Sequence, residues 1–270
     1  MTSVKGRIYQ IKQPPKGLVP ISKFYCIRHK CKEELNEEEN IKPNIVGLAV
    51  DYLTRFMINN DAAKSFEVSL KGAELAEKYF NEYNASLIAK ELIKNVNGVD
   101  KTSILNAVNL VNYDVFYRNG LKAKDIDMAN LEKPDDDTIE NIRIMVERSV
   151  NCLKHYNRTV VDGFSFNPNG YTEYIDSGDG DYISEDTIWD LKVSKYPPTT
   201  NDTLQLAIYY RMWQHSDNSL PMDITRLAIY NPRLNCVYSI ETKDIESNII
   251  NIIDNDIIGY DMSCQEEIEI

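Results

Sequence analysis

The chain has 270 residues and a mass of 31.1 kDa, enough for one large domain or two small ones with a buried core. Its 43% hydrophobic and 27% charged residues exclude collagen-like and wholly disordered proteins. No apolar run reaches the roughly 18–20 residues of a membrane span, and the N-terminus does not resemble a secretory signal. Scattered cysteines favour a reducing cytoplasm. The net charge of −12 by itself argues against binding to nucleic acid.

The charge is unevenly distributed along the chain. Residues 1–32 contain eight Lys or Arg and no acid, whereas residues 244–270 contain eight acids and no base. A basic segment can contact phosphate groups, although an ordinary solvated surface explains it equally well. We therefore predict a basic N-terminal arm and acidic loop over 1–44, and an acidic C-terminal segment over 244–270.

The first half of the chain has the periodicity of helices. From Pro43 to about residue 156, apolar residues recur at three- and four-residue steps. Beyond the helix that begins near Pro43, the predicted helices cover 62–81, 84–96, 102–118 and 137–155. Residues 60–155 are accordingly predicted to form a large helical insertion within a single domain spanning 45–243.

The second half has the pattern of short strands, with β-branched and aromatic residues between Gly, Asn, Pro and Ser. The predicted strands cover 159–166, 171–177, 181–184, 187–194, 224–230 and 236–242. An amphipathic helix is predicted over 204–215, with its N-cap at Asp202 or Thr203. Residues 247–260 can pack as a helix, although their isoleucine content leaves a strand open. The pattern predicts an α/β or α+β fold.

The residues that indicate a chemical function lie in the predicted 181–194 hairpin and in the helix that follows it. Asp190 and Lys192 are two apart in a strand, so their side chains point to one face, and Asp181 lies across the hairpin. Two converging carboxylates suit a hard cation such as Mg²⁺ or Mn²⁺. The lysine can orient or deprotonate a water, or stabilise charge on a phosphoryl group. Gln205 and Tyr209, four apart, share one face of the helix.

The order of these residues is more informative than any one of them. A bare acid-x-Lys triplet carries no weight, since residues 241–243 form another. The chain presents an acid after glycine (Asp181), then Asp-x-Lys (190–192), then Gln-x-x-x-Tyr (205–209). This set resembles the PD-(D/E)XK nuclease superfamily, in the RecB-like branch that includes the CRISPR adaptation exonucleases. The resemblance covers 160–231 well and 45–58 weakly.

The family's first motif lies on an N-terminal helix and is commonly Gly-Thr-x-x-His, with a metal-binding histidine. Here Gly47 is followed at the same spacing by Asp51, and aspartate can bind the same metal. The family often has a glutamate four residues later, where this chain has Arg55. The chain also lacks the close-set cysteines that bind an iron–sulfur cluster in some members, so none is predicted.

The resemblance implies a restriction-endonuclease-like core with a mixed sheet flanked by helices, and it places the catalytic core over 159–231. It implies that one or two Mg²⁺ (or Mn²⁺) ions are bound by Asp51, Asp181, Asp190 and the backbone carbonyl of Leu191. Lys192 would orient the attacking water, while Gln205 and Tyr209 would hold the loop or the DNA.

The function predicted from this resemblance is a cytoplasmic, phage- or defence-related nuclease that hydrolyses DNA by a Mg²⁺-activated water. A catalytically silent nuclease-fold adaptor or acidic inhibitor, bound to a nucleic-acid-processing protein, is the alternative, and a metal-dependent RNase is a third. No membrane partner is expected. If the hairpin is not a site, its charges form a surface ion pair worth at most about 1 kcal/mol. Asp51 could likewise be an ordinary polar residue of an amphipathic helix.

Overall fold

A computed structural model describes residues 2–123, 128, 133–156, 160–217 and 223–260. The chain forms two compact units, which we name for their content. The sheet unit comprises Met1–Lys30 and Lys154–Ile270, and the helical unit comprises Cys31–Leu153. These units group the chain differently from the predicted arm, insertion and core, since the first thirty residues fall in the sheet unit. Within the described ranges, no helix has the length and apolar character needed to cross a membrane.

Most of the helices come before most of the strands along the chain. The helices are α1 (Val4–Ile8), α2 (Pro43–Asn59), α3 (Ala62–Ser65), α4 (Glu67–Tyr79), α5 (Ala85–Lys94), α6 (Lys101–Val111), α7 (Asp114–Asn119), α8 (Asp136–Tyr156), α9 (Thr200–His215) and α10 (Ser247–Asn251). The strands are β1 (Tyr25–Arg28), β2 (Val160–Phe164), β3 (Gly180–Ser184), β4 (Thr187–Leu191), β5 (Arg226–Asn231) and β6 (Cys236–Glu241). A π-helix over Ile252–Ile258 continues α10.

The helical unit confirms the 3.6-residue periodicity, with breaks that the pattern does not contain. The predicted helix over 62–81 is divided at Phe66, which is fully buried, and the one over 102–118 is divided between Val111 and Asp114. Helix α2 begins with Pro43 at its first turn, where a missing N–H costs nothing. It ends at Asn60, whose φ of 56° is left-handed.

Helices α4 and α7 approach each other closely at a glycine. A Cβ atom built on Gly72 would lie 2.1 Å from the carbonyl oxygen of Tyr113 and 2.7 Å from its carbonyl carbon. Both atoms belong to the backbone, so they cannot move aside without moving the chain. Glycine at this position therefore sets the spacing between the two segments.

Replacing Gly72 by alanine is expected to destabilise the protein by at least about 2 kcal/mol, because overpacking outweighs the better helix propensity of alanine. The free energy of unfolding in urea is the measurement. Gly98→Ala is the matched control, since a Cβ there meets nothing closer than 3.9 Å. We expect the control to lie within about 0.5 kcal/mol of the parent. Equal stability of all three proteins would contradict the close packing.

The sheet is mixed, as predicted, and its described strands lie in the order β1-β6-β5-β4-β3-β2. Strands β4 and β5 are parallel, and every other neighbouring pair is antiparallel. A parallel pair requires a crossover connection, and α9 lies in the connection between these two strands. The α9 helix packs on one face of the sheet in a core formed by Ile183, Ile188, Leu227, Ile229, Leu204, Ala207 and Ile208.

The basic N-terminal segment is part of the sheet unit. Val4, Ile8, Val19 and Phe24 are buried in the core that contains α9. Strand β1 then pairs with β6 at the edge of the sheet. The positive charge at the N-terminus therefore lies on a folded segment, whose lysines are exposed around a buried apolar side.

Two predictions for the sheet unit have different outcomes. The predicted strand over 171–177 is wrong, because the segment forms local turns and pairs only through a single bridge at Ser177. The N–H groups of Tyr174 and Ile175 donate to the Thr172 hydroxyl, and the Thr172 N–H donates to the Ile175 carbonyl, at 2.9–3.3 Å. The helical alternative for residues 247–260 is confirmed.

Candidate active site

The two predicted hairpin carboxylates lie on the same face of the sheet. Tyr182 pairs with Trp189 and Ile183 pairs with Ile188, so residues 181 and 190 both share the face of the isoleucines, which α9 covers. Asp190 is 1% exposed. The Oδ2 atom of Asp181 accepts a hydrogen bond from the N–H of Leu191 at 2.9 Å. This bond holds the Asp181 carboxylate against the end of β4, next to Asp190.

A glycine precedes Asp181 for a steric reason. Gly180 pairs with Phe164 across β2 and β3, and a Cβ at Gly180 would lie 2.0 Å from the phenylalanine ring. Any larger residue would displace the ring from the core or displace β3. Gly180 therefore allows β3 to pack closely on Phe164, and the next residue, Asp181, supplies the carboxylate.

Lys192 connects the strand end to α9. Its Nζ atom lies 3.0 Å from Oδ2 of Asp190 and donates to Oε1 of Gln205 at 3.1 Å. The Nε2 atom of Gln205 in turn donates to the hydroxyl of Tyr209 at 2.7 Å. Asp181, Asp190, Lys192, Gln205 and Tyr209 are thus brought together as the sequence predicts, although their chemical roles are still predictions.

The electrostatics of the site keep Lys192 charged. Burial lowers its pKa, but the negative charges of Asp190, Asp181 and Asp202 together outweigh burial and raise the pKa above the usual value for lysine. Burial, and then Asp181 and Asp190, also raise the pKa of Tyr209. Lys192 is consequently a cation and Tyr209 a neutral phenol at neutral pH. In this arrangement the ammonium can orient an oxygen or stabilise negative charge.

The first turn of α9 brings a further carboxylate, that of Asp202, near Lys192. The sequence predicted only a capping role for this residue. The N-cap is Thr199 and not Asp202 or Thr203, because Oδ2 of Asp202 accepts from the Thr199 N–H at 2.7 Å and Thr199 caps the N–H of Asp202 in return. The other oxygen, Oδ1, lies 3.9 Å from Nζ of Lys192. The Thr-x-x-Asp spacing was the signal for the cap, and nothing local indicated the proximity to Lys192.

Asp51 lies in the helical unit, on α2. Its carboxylate is paired with Arg55 one turn later, with the guanidinium nitrogens 3.0 and 3.2 Å from the two oxygens. An i,i+4 pair of this kind accounts for an aspartate on a helix surface. The metal-binding role of Asp51 stays a prediction.

The donors at the end of β4 suit a hard cation. The carboxylates of Asp181 and Asp190 and the carbonyl of Leu191 present oxygen atoms, the type of donor that Mg²⁺ and Mn²⁺ prefer. The field of the carboxylates, which raises the pKa of Lys192, also favours a cation. In the part of the chain that the structure describes, no cluster of three or more His, Cys, Asp or Glu residues is arranged to hold a metal ion. Any bound ion would therefore depend on this smaller set.

Comparisons of the chain with protein-family models, with curated proteins and with solved structures give no match. Membership of the PD-(D/E)XK superfamily is therefore a proposal that depends on the site alone.

Proposed function

We propose that the protein is a Mg²⁺-dependent nuclease that hydrolyses DNA phosphodiester bonds at Asp181, Asp190 and Lys192. The observation that carries the proposal is the contact between Lys192 and Asp190 at the end of β4, with Asp181 hydrogen-bonded to the intervening residue. Carboxylates beside a charged lysine at the end of an interior strand can supply both a cation site and a donor for a phosphoryl oxygen. The proposal includes a restriction-endonuclease-like core formed by the sheet and the helices that flank it.

The negative, positive and neutral side chains of the site have different proposed roles. Asp181 and Asp190 would hold a divalent cation, which would supply positive charge to neutralise the phosphate and favour ionisation of the attacking water. Lys192 donates to the attacking water or to a phosphoryl oxygen, and Gln205 holds the ammonium in place by accepting one of its hydrogen bonds. Tyr209 fixes the amide of Gln205 through its hydroxyl.

The distribution of basic residues supports a nucleic-acid substrate despite the net charge. The N-terminal segment lies against the start of α9, where Nε2 of Gln13 donates to Oδ1 of Asn201 at 2.8 Å. Gly17 contacts Thr200 so closely that a Cβ would come within 2.8 Å of its side chain. The exposed lysines 12 and 16 lie on this segment, near the helix that carries Gln205. A chain of net charge −12 can thus present positive charge to a phosphate backbone locally.

Two experiments test the proposal: removal of the metal ion and substitution of one carboxylate. Linear and plasmid DNA should be cleaved with Mg²⁺ or Mn²⁺ and remain intact with EDTA.

Asp181→Asn should bind Mg²⁺ at least about tenfold more weakly in a calorimetric titration, since it loses a charge but keeps an acceptor for the Leu191 N–H. Arg226 and Glu241 form an ion pair on neighbouring strands, so Glu241→Gln is the matched control and should bind Mg²⁺ normally. Absence of Mg²⁺-dependent cleavage by the parent would refute the proposal that the protein is a nuclease.

A second candidate function is an adaptor that binds a basic protein. A cavity of about 360 Å³ in the helical unit is lined by carboxylate and amide side chains: Asn36, Glu37, Glu38, Glu39, Asn40, Asp135 and Asp137. Such a surface can contact the basic groove of a nucleic-acid-processing protein. Tight binding of a basic partner, lost on neutralising residues 37–39 in a parent that does not bind Mg²⁺, would favour the adaptor.

A further inference from the structure

An exposed aromatic ring lies four residues beyond Lys192. Tyr196 is 74% exposed, although aromatic side chains usually bury most of their surface. Its backbone is held in place, because its N–H donates to the Ser194 hydroxyl at 3.0 Å and its carbonyl accepts from Nδ2 of Asn231 at 3.2 Å. Two prolines follow directly and restrict the chain further. The ring therefore extends into solvent from a fixed backbone.

Asn231 ties this loop to the turn after β5. The asparagine is fully buried, and its Nδ2 also donates to the Ser194 carbonyl at 2.9 Å. Its Oδ1 accepts from the N–H groups of Arg233 and Leu234 at 3.0 and 3.1 Å. One amide thus fixes two loops that carry Arg233 and, beside Tyr196, an exposed lysine at position 195. Aromatic and basic residues are the combination that tracks a single-stranded nucleic acid.

The distance between Tyr196 and the candidate site suits one strand of nucleic acid. Four residues span at most about 14 Å between the Cα atoms of Lys192 and Tyr196. A stacked strand advances about 3.4 Å per nucleotide, so the Cα atoms of Lys192 and Tyr196 are separated by no more than roughly four nucleotides of such a strand.

We propose that Tyr196 is a stacking site for an unpaired nucleobase of the strand whose phosphate lies at Asp181, Asp190 and Lys192. The inference rests on the proposed function and adds to it a base contact and a preference for unpaired strands. In an intact duplex the bases are stacked on their neighbours, so their faces are not available to the ring. Arg233 and the lysine at 195 contact the flanking phosphates.

The affinity for a fluorescent twelve-residue oligothymidylate, measured by anisotropy with Ca²⁺ in place of Mg²⁺, tests the inference. Tyr196→Ala should bind about 5- to 100-fold more weakly than the parent, and Tyr196→Phe should bind normally because it keeps the ring. Tyr83→Ala is the matched control, since Tyr83 is 84% exposed in the helical unit. On an oligonucleotide of abasic sites, the parent and Tyr196→Ala should bind equally.

Equal affinity of Tyr196→Ala and the parent for oligothymidylate would overturn the inference, as would a loss of the same size in Tyr196→Phe or on abasic DNA. A parent that does not bind the oligonucleotide would also overturn it. Mg²⁺-dependent cleavage by the parent is scored separately. Cleavage without a Tyr196 effect refutes only the stacking site, whereas a Tyr196 effect without cleavage refutes only the nuclease.

Discussion

Asp190→Asn is expected to slow Mg²⁺-dependent DNA cleavage by at least about 100-fold while the protein stays folded. The Asp190 carboxylate is 1% exposed and lies 3.0 Å from the ammonium of Lys192. Asparagine has the same shape but removes the charge that attracts the cation and positions the lysine. Single-turnover cleavage of a labelled linear DNA measures the rate, and circular dichroism reports the fold.

The lysine of the same pair is expected to affect stability as well as rate. Lys192→Met leaves the Asp190 charge buried without its ammonium partner, which should cost about 3 kcal/mol in urea unfolding. Combining it with Asp190→Asn removes both charges and should restore most of that stability, while cleavage stays at least about 100-fold slower than in the parent. The double variant therefore separates a chemical role from a structural one.

The second acid-x-Lys triplet provides the control for both variants. Lys243 follows β6 and is exposed, so Lys243→Ala should change neither the cleavage rate nor the stability. If Asp190→Asn cleaves DNA as fast as the parent, the nuclease proposal is wrong. If Lys192→Met is fully active, its proposed role in orienting the water or phosphate is wrong.

The grouping of the hairpin residues could be predicted because strand and helix periodicity are local. Positions 181, 190 and 192 share a sheet face through the two-residue alternation of strands, and Gln205 and Tyr209 share a helix face through the four-residue step. The contact between Lys192 and Gln205 links these two local patterns. The sequence implied it only through the order of motifs, since no periodicity fixes how a helix packs on a sheet.

Features that depend on distant contacts could not be predicted in this way. All four residues of β1 are exposed, so the strand has no apolar alternation, and it forms only because β6 pairs with it. The β-branched and aromatic residues at 171–177 indicated a strand, but the Thr172 hydroxyl accepts hydrogen bonds from two backbone N–H groups and favours turns. The link that Asn231 makes between two loops has no local signature, because two of its four hydrogen bonds reach the carbonyls of Ser194 and Tyr196, more than thirty residues away.

Asp114 is expected to be the most sensitive polar position of the helical unit. It is 1% exposed and accepts hydrogen bonds from the Tyr52 hydroxyl and the Ser69 hydroxyl, both at 2.6 Å, and from Nε of Arg118 at 3.2 Å. Arg118 also donates to the Tyr52 hydroxyl at 2.9 Å, which closes the network. Burial, and then the charge of Asp114, raise the pKa of Tyr52, so the phenol stays a neutral donor.

Asp114→Ala should therefore lower the free energy of unfolding by about 3–5 kcal/mol, because two hydroxyl donors and a guanidinium lose their shared acceptor in a buried site. Tyr52→Phe removes one donor and should cost about 1 kcal/mol. Asp136→Ala is the matched control, since Asp136 pairs with Lys101 but is 82% exposed, and an exposed pair contributes little that can be measured. Urea unfolding of the three variants tests the ranking. A loss in Asp114→Ala no larger than in Asp136→Ala would mean that the network does not stabilise the helical unit.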